Sequence, residues 1–271
     1  MWIMFVIIGP FCSSATLAAA PIAEESRVVL LSPGSAASQI SYAGDYVFRI
    51  WPSNRQYGEA LADKIYSDGY KNVGAMFVNN DYGKDYYDKF ALKFTGLGGT
   101  VSAETFEQGS KDFRTQLIKI KNSNPDAIII IANDEGGLIA RQMGEINFTT
   151  PIYGHITLVD KNSYTQSNGA LEGSIYTSPD IDTDSEQVRL FLTKYKKEPA
   201  AVSVALHGYD AMVLIAGAIQ KYGYDADRIK YGLYATKNYP GVSGTITIDE
   251  NGDAVRTVRL MRIVNGTGVP L

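Results

Sequence analysis

Short, nearly continuous apolar runs alternate along the chain with longer stretches in which apolar residues return every three or four positions. The runs read as strands: Ile3–Ile8, Val28–Leu31, Tyr46–Ile50, Val73–Val78, Thr100–Ala103, Ala127–Ala132, Ile152–Gly154 and Ser174–Tyr176. Between them, Asn54–Ser67 sets Tyr57, Leu61 and Ile65 on one helical face. Lys84–Phe94 does the same with Tyr87, Phe90 and Phe94, and Phe113–Ile120 with Leu117 and Ile120. A helix is also predicted from Ser13 or Ser14, as the capping residue, through to Ser26. The unbroken Ile128-Ile129-Ile130-Ile131 has the pattern of a strand covered on both faces. Strands and helices in alternation predict an α/β chain with parallel, doubly wound sheets. Beyond Pro179 the rhythm changes to helical stretches near 184–196, 203–221 and 226–235. The end reads as a hairpin, Ser243–Ile248 and Ala254–Val264 about the polar turn Asp249–Asp253.

The N-terminal stretch is apolar and then rich in Ala, but it has no Lys or Arg before Arg27 and its apolar run stops at Gly9-Pro10. It therefore reads as a strand, turn and helix rather than as a convincing signal peptide, and is too short for a membrane span. Composition narrows the function more than the fold. Against 29 acidic residues stand 25 basic ones, without a basic block, so nucleic acid is not an expected partner. A single Cys and two His leave no framework for disulfides and no ligand set for a metal, and no cofactor is implied.

Searches for chemical motifs fail in turn. The chain has no Gly-x-Gly-x-x-Gly after a strand, no phosphate loop, no His-Glu-x-x-His and no Gly-x-Ser-x-Gly elbow. Asp180, Asp182 and Asp184 alternate like a calcium loop, but Ser185 and Phe191 occupy the positions that need Gly and Glu, so they read as an acidic helix start. What remains is a pair of turns rich in small hydroxyl residues, Gly9–Thr16 and Ser32–Ser38, each following a strand. Ligands of open α/β sheets bind outside the carboxyl ends of strands, and a helix start with Ser hydroxyls suits a carboxylate. The same serines could equally be helix caps.

Several segments, in order, resemble the branched-chain amino-acid-binding type of periplasmic receptor, the type I solute-binding proteins of ABC importers. They are Val6-Ile7-Ile8-Gly9-Pro10 with Ser13 and Thr16, Ala20–Glu25, Leu31-Ser32-Pro33-Gly34, Gly44–Arg49, Asn80-Asp81-Tyr82-Gly83, Lys111-Asp112-Phe113, Asn124–Ala127, Glu172-Gly173, Tyr209-Asp210-Ala211 and Gly241–Gly252. The resemblance implies the type I periplasmic-binding-protein fold of two α/β lobes with a ligand enclosed by them. Lobe one would comprise 1–50 and 178–240, and lobe two 51–177 and 241–271. It also implies that the chain begins late, with the first strands and helices of lobe one missing and that lobe incomplete.

By the same resemblance, Ser13 matches the carboxylate-binding hydroxyl. Ser35 and Ala36 match the pair after the Ser-Pro-Gly turn, with the backbone N–H of Ala36 serving where some members have Thr. Tyr82 matches the tyrosine that covers the ligand, and Asn133 with Asp134 occupies a loop where close relatives carry an aromatic residue. Ile156, next to His155, stands where leucine-type receptors place the acid for the ligand ammonium. Either Asp134 or Asp81 supplies that charge, or the ligand is not an α-amino acid. Asp210 reads as a structural carboxylate, His207 as its neighbour and Cys12 as a free thiol. The expected function is non-enzymatic capture of a small polar ligand, an aliphatic or branched-chain amino acid, outside the cytoplasm, in the periplasm or at the cell surface, for delivery to an ABC permease. The alternative is a ligand-sensing domain of a signalling receptor or regulator, which uses the same fold.

Overall fold

A computed structural model describes residues 4–195 and 202–271. In chain order the strands and helices are β1 (Val6–Ile8), α1 (Ser13–Glu25), β2 (Val29–Ser32), β3 (Val47–Arg49), α2 (Asn54–Ser67), β4 (Asn72–Val78), α3 (Asp81–Gly96), β5 (Thr100–Phe106), α4 (Arg114–Asn122) and β6 (Ala127–Ile131). They continue with α5 (Gly136–Glu145), β7 (Ile152–His155), α6 (Lys161–Ser167), β8 (Ile175–Pro179), α7 (Glu186–Tyr195), α8 (Val202–Tyr222), α9 (Ala226–Tyr234), β9 (Tyr239–Gly241), β10 (Gly244–Ile246), β11 (Val258–Val264) and β12 (Thr267–Pro270). The first residue of the predicted strand Ile3–Ile8 and the last of the predicted helix 184–196 lie outside the described residues.

The chain divides into two compact units. The first joins residues up to Ser53 with Pro179–Thr257, and the second joins Asn54–Ser178 with Val258–Leu271. Residues 241–257 thus belong to the first unit, a correction to the expectation that they lie in lobe two. The cause is burial: Ile246, Ile248 and Ala254 pack into one core with Val29, Leu31, Phe48, Leu214 and Ile229. The predicted hairpin of Ser243–Ile248 with Ala254–Val264 shrinks to the single bridge Ile248–Ala254. Its first strand instead pairs backwards, β10 on β9, and its second runs on into β11, which pairs antiparallel with β12.

Within the first unit, β1, β2 and β3 form a parallel sheet among the described residues, with Val6 opposite Val29 and Leu30 opposite Val47. Its core takes Leu214, Ile215 and Ala218 from α8 and Ile229 and Leu233 from α9. By length and composition α8 could cross a membrane, yet this inward face is that of a core helix.

The second unit holds a sheet of order β12-β11-β8-β7-β6-β4-β5 among the described residues, parallel from β8 to β5. Its centre is β6, whose five residues are all buried, as an apolar run flanked by β4 and β7 must be. Leu117 and Ile120 of α4 and Ile139 and Met143 of α5 cover one face of this sheet together with Met76, Ile128 and Ile130. Helix α2 follows its predicted period, with Tyr57, Leu61 and Ile65 fully buried. Helix α3 starts three residues before the predicted Lys84, because Asn80 caps it by accepting from the Gly83 N–H at 2.9 Å. A side chain at Gly83 would strike the Val78 carbonyl, so the turn carrying Tyr82 is held close against the end of β4.

Candidate functional site

In the first unit the turns after β1 and β2 are knitted together by hydroxyl groups. Ser32 Oγ donates to the Pro10 carbonyl at 2.7 Å and accepts from the Ser35 N–H at 3.0 Å. Ser35 Oγ donates to the Phe11 carbonyl at 2.9 Å, and a 2.8 Å hydrogen bond joins it to Thr16 Oγ1. Ser13 Oγ accepts from the N–H groups of both Ala36 and Ala37, each at 3.1 Å. Ser13, Thr16, Ser32 and Ser35 are all buried. The expectation that Ser13 or Ser14 caps α1 is corrected: Cys12 holds the capping position without a side-chain bond, and Ser13 reaches across to the other turn. Two further expectations change with it. The Ala36 N–H, reserved for a ligand, is taken by Ser13, and the Ser35 hydroxyl is turned into the network.

A buried arginine braces this arrangement from behind. Arg49 at the end of β3 donates to the Ala37 carbonyl at 2.9 Å, to Ser41 Oγ at 3.0 Å and, through two nitrogens, to the carboxylate of Asp253 at 3.0 and 2.6 Å. Such a two-pronged pair fixes orientation as well as charge. Asp210 does similar work further on, accepting from the N–H groups of Val242 and Ser243 and from the Ser243 hydroxyl, which explains the structural reading of that residue. Next to it in α8, His207 bonds to the Ser203 carbonyl through Nδ1 and lies 4.6 Å from the ring of Trp51. Burial and the nearby Arg256 cation lower its pKa to about 3, so it is uncharged at neutral pH.

The second unit presents a different surface at its strand ends. His155, the last residue of β7, sits among Tyr57, Tyr82 and Tyr86, with ring centroids 4.7, 5.9 and 5.9 Å away. Tyr82 follows β4 in the first turn of α3, and Tyr86 lies one turn on, its hydroxyl bonded to Thr177 at 2.8 Å. His155 is 4% exposed, and neither ring nitrogen has a hydrogen-bond partner. The buried hydroxyl of Tyr82 has none either. Desolvation drives the imidazole down to a pKa of about 3 and the Tyr82 phenol well up, so both are neutral.

After β6, the strand between β4 and β7 in the sheet, the loop carries Asn133, Asp134 and Glu135. Glu135 is buried and ties two loops, accepting from the Gly109 N–H at 2.7 Å and from the Asn133 N–H at 3.2 Å. Asp134 is exposed. Its charge acts on Asp160, in the turn between the 3-10 helix Ile156–Val159 and α6; desolvation first and Asp134 second raise the Asp160 pKa to about 6. Ile156 packs against the apolar core and can play no polar part. Asp81 is exposed in the first turn of α3. No cluster of His, Cys, Asp and Glu among the described residues could hold a metal ion.

The periplasmic binding protein family matches residues 4–268. The chain belongs to this family. Among solved structures this periplasmic binding protein is similar to the leucine-binding protein LivK of Thermotoga maritima, 32% identical with a TM-score of 0.90 over 98% of this chain and 79% of that one. It is also similar to the branched-chain amino acid transporter substrate-binding protein LivJ of Streptococcus pneumoniae in complex with isoleucine, at 26% identity and a TM-score of 0.84 over 97% and 77%. The Leu/Ile/Val-binding protein BraC3 of Rhizobium johnstonii is 26% identical over 255 residues, 91% of this chain and 69% of that protein. The periplasmic binding protein is accordingly a substrate-binding receptor with parallel-rich α/β architecture, and not an enzyme.

Of the residues picked out in the sequence, the structure brings Ser13, Ser35 and Ala36 together in one unit and Tyr82 with His155 in the other. Asn133 and Asp134 follow β6, which lies between β4 and β7 in that second unit. Sequence reasoning missed Asp160, Glu135 and the tyrosines 57 and 86. Of these only Tyr57 carried a signal, being already placed on the inward face of its helix; the face of α3 was read through Tyr87, whereas Tyr86 is the buried one.

Proposed function

We propose that this receptor captures a small α-amino acid, aliphatic or branched-chain, in the periplasm or at the cell surface and delivers it to an ABC permease. One observation carries the reading. Ser13 accepts two backbone N–H groups, so its single proton remains to be donated, and it lies in the first turn of a helix whose N-terminus has no side-chain cap. A hydroxyl donor beside a helix N-terminus is suited to a carboxylate. In the second unit Tyr82 covers the ligand, and Asp134 with Asp160 supplies the negative charge for an ammonium in place of the acid absent at Ile156. An ammonium would favour the ionised form of Asp160, which desolvation first and Asp134 second hold back. Asn133 and His155 complete the contacts on that side. The amino acids named for LivJ and BraC3 support this ligand class.

Mass spectrometry of small molecules released from the purified protein, followed by calorimetry with leucine, isoleucine and valine, tests the proposal. Retention of an amino acid and saturable binding are expected. Failure of all three to bind, with a carboxylate lacking an amino group recovered instead, would overturn the amino-acid assignment.

A further inference from the structure

Among the described residues, both ring nitrogens of His155 and the hydroxyl of Tyr82 lie buried at the strand ends of the second unit without a hydrogen-bond partner. Tyr57 and Tyr86 pack against the His155 ring, with centroids 4.7 and 5.9 Å away. A buried polar group without a hydrogen bond is unfavourable, and natural proteins leave few, so each such group calls for an explanation. His155 terminates β7 and Tyr82 follows β4, the end of a parallel sheet at which ligands bind. The rings that meet His155 are those of uncharged tyrosines. A neutral imidazole offers one donor and one acceptor, and a phenol offers both. We infer that His155 and Tyr82 form a subsite for an uncharged group of the ligand that both donates and accepts a hydrogen bond, a side-chain hydroxyl above all.

This subsite rests on the receptor reading above and narrows it: among ligands of one shape, the hydroxylated one is selected. Threonine and valine differ by a hydroxyl in place of a methyl. An apolar pocket discriminates poorly against an added hydroxyl, whereas a site built to bond a hydroxyl rejects the ligand that lacks it, because its own polar groups are then left unpaired. His155 is thereby a specificity-determining residue, acting as a neutral partner across the physiological pH range because burial keeps its imidazole unprotonated.

The test is calorimetry on the full chain with L-threonine against L-valine, and with 3-hydroxybutanoate against 3-methylbutanoate, the same replacement without an amino group. Threonine is expected to bind tighter than valine by about tenfold or more, and the ratio to collapse toward one in Tyr82→Phe and His155→Phe. Valine binding as tightly as threonine, or a preference that survives both substitutions, would overturn the inference. Should His155→Phe fail to fold, Tyr82→Phe, which removes one oxygen, decides alone. If neither amino acid binds but 3-hydroxybutanoate is preferred over 3-methylbutanoate and loses that preference in Tyr82→Phe, the subsite stands and the amino-acid reading falls. If no member of either pair binds, the subsite is refuted as well.

Discussion

At the ends of β1 and β2 the buried hydroxyls of Ser13, Thr16, Ser32 and Ser35 all have partners within the first unit, while at the ends of β4 and β7 the Tyr82 hydroxyl and the His155 ring nitrogens have none among the described residues. Both regions look alike in composition, polar residues in turns after apolar strands, and both were marked as ligand contacts from the sequence. The difference is in what each polar group is already bonded to. Satisfied groups build the turn, and of the first region only the proton of Ser13 is left over for a ligand. Orphaned groups are costly to keep and contribute little to the fold, so they answer to something else. Substitutions in the first region should therefore be read out chiefly in stability, with Ser13 alone also touching affinity, and those in the second in affinity.

The largest effect is expected from Arg49→Ala, which strips Asp253 of its bidentate partner and frees the Ala37 carbonyl. Removing one member of such a buried pair costs about 3 to 5 kcal/mol, to be seen as a lower urea midpoint of unfolding. Ser13→Ala leaves the Ala36 and Ala37 N–H groups unpaired and should lower stability by about 2 to 3 kcal/mol in the same assay. A stability equal to that of the parent would break the comparison at its first limb. Next, Tyr82→Ala should weaken amino-acid binding by about 1 to 3 kcal/mol in calorimetry, through loss of an aromatic and polar contact. An unchanged dissociation constant removes Tyr82 from the site.

The smallest effect has the opposite sign. The Asp160 carboxyl keeps its proton in the folded state up to a pKa of about 6, above the ordinary 3.8, so folding takes up a proton between those values. Stability falls as pH rises through that window, and the ionised group is a net cost at pH 7. Asp160→Asn should therefore make the protein more stable by about 1 to 2 kcal/mol at pH 7, the advantage vanishing near pH 3.5, while amino-acid affinity falls. A gain in stability with unchanged affinity would assign the ammonium to Asp134 alone.

Much of this was legible in the sequence for physical reasons that also mark where legibility stops. The run Ile128–Ile131 and the spacing of Tyr57, Leu61 and Ile65 are local patterns, and β6 and α2 follow them. Helix α5 went unread because it opens on Gly136 and Gly137, poor helix formers that tertiary packing overrides. The chain after Val242 was misassigned because its path is set by Asp210, a partner more than thirty residues away in sequence. Candidate residues fared similarly. Hydroxyl-rich turns after strands could be seen, but not that Ser13 would occupy the Ala36 N–H, since the pairing of two turns is a matter of register between strands. Asp160 carries no motif at all; its character comes from desolvation and from Asp134, both products of the folded chain.

The pairing of Arg49 with Asp253 has a consequence for the order of assembly. The two residues stand 204 positions apart, and almost the whole second unit intervenes. As the chain leaves the ribosome, β4 to β8 can associate with near neighbours at small loop-closure cost, whereas the brace behind the first unit must wait for the far end of the chain. The brace behind the hydroxyl network thus closes late in synthesis. Until Asp253 arrives, Arg49 lacks the carboxylate that fixes its guanidinium, and β3 is held by its neighbour β2 and, through Arg49, by the Ala37 carbonyl.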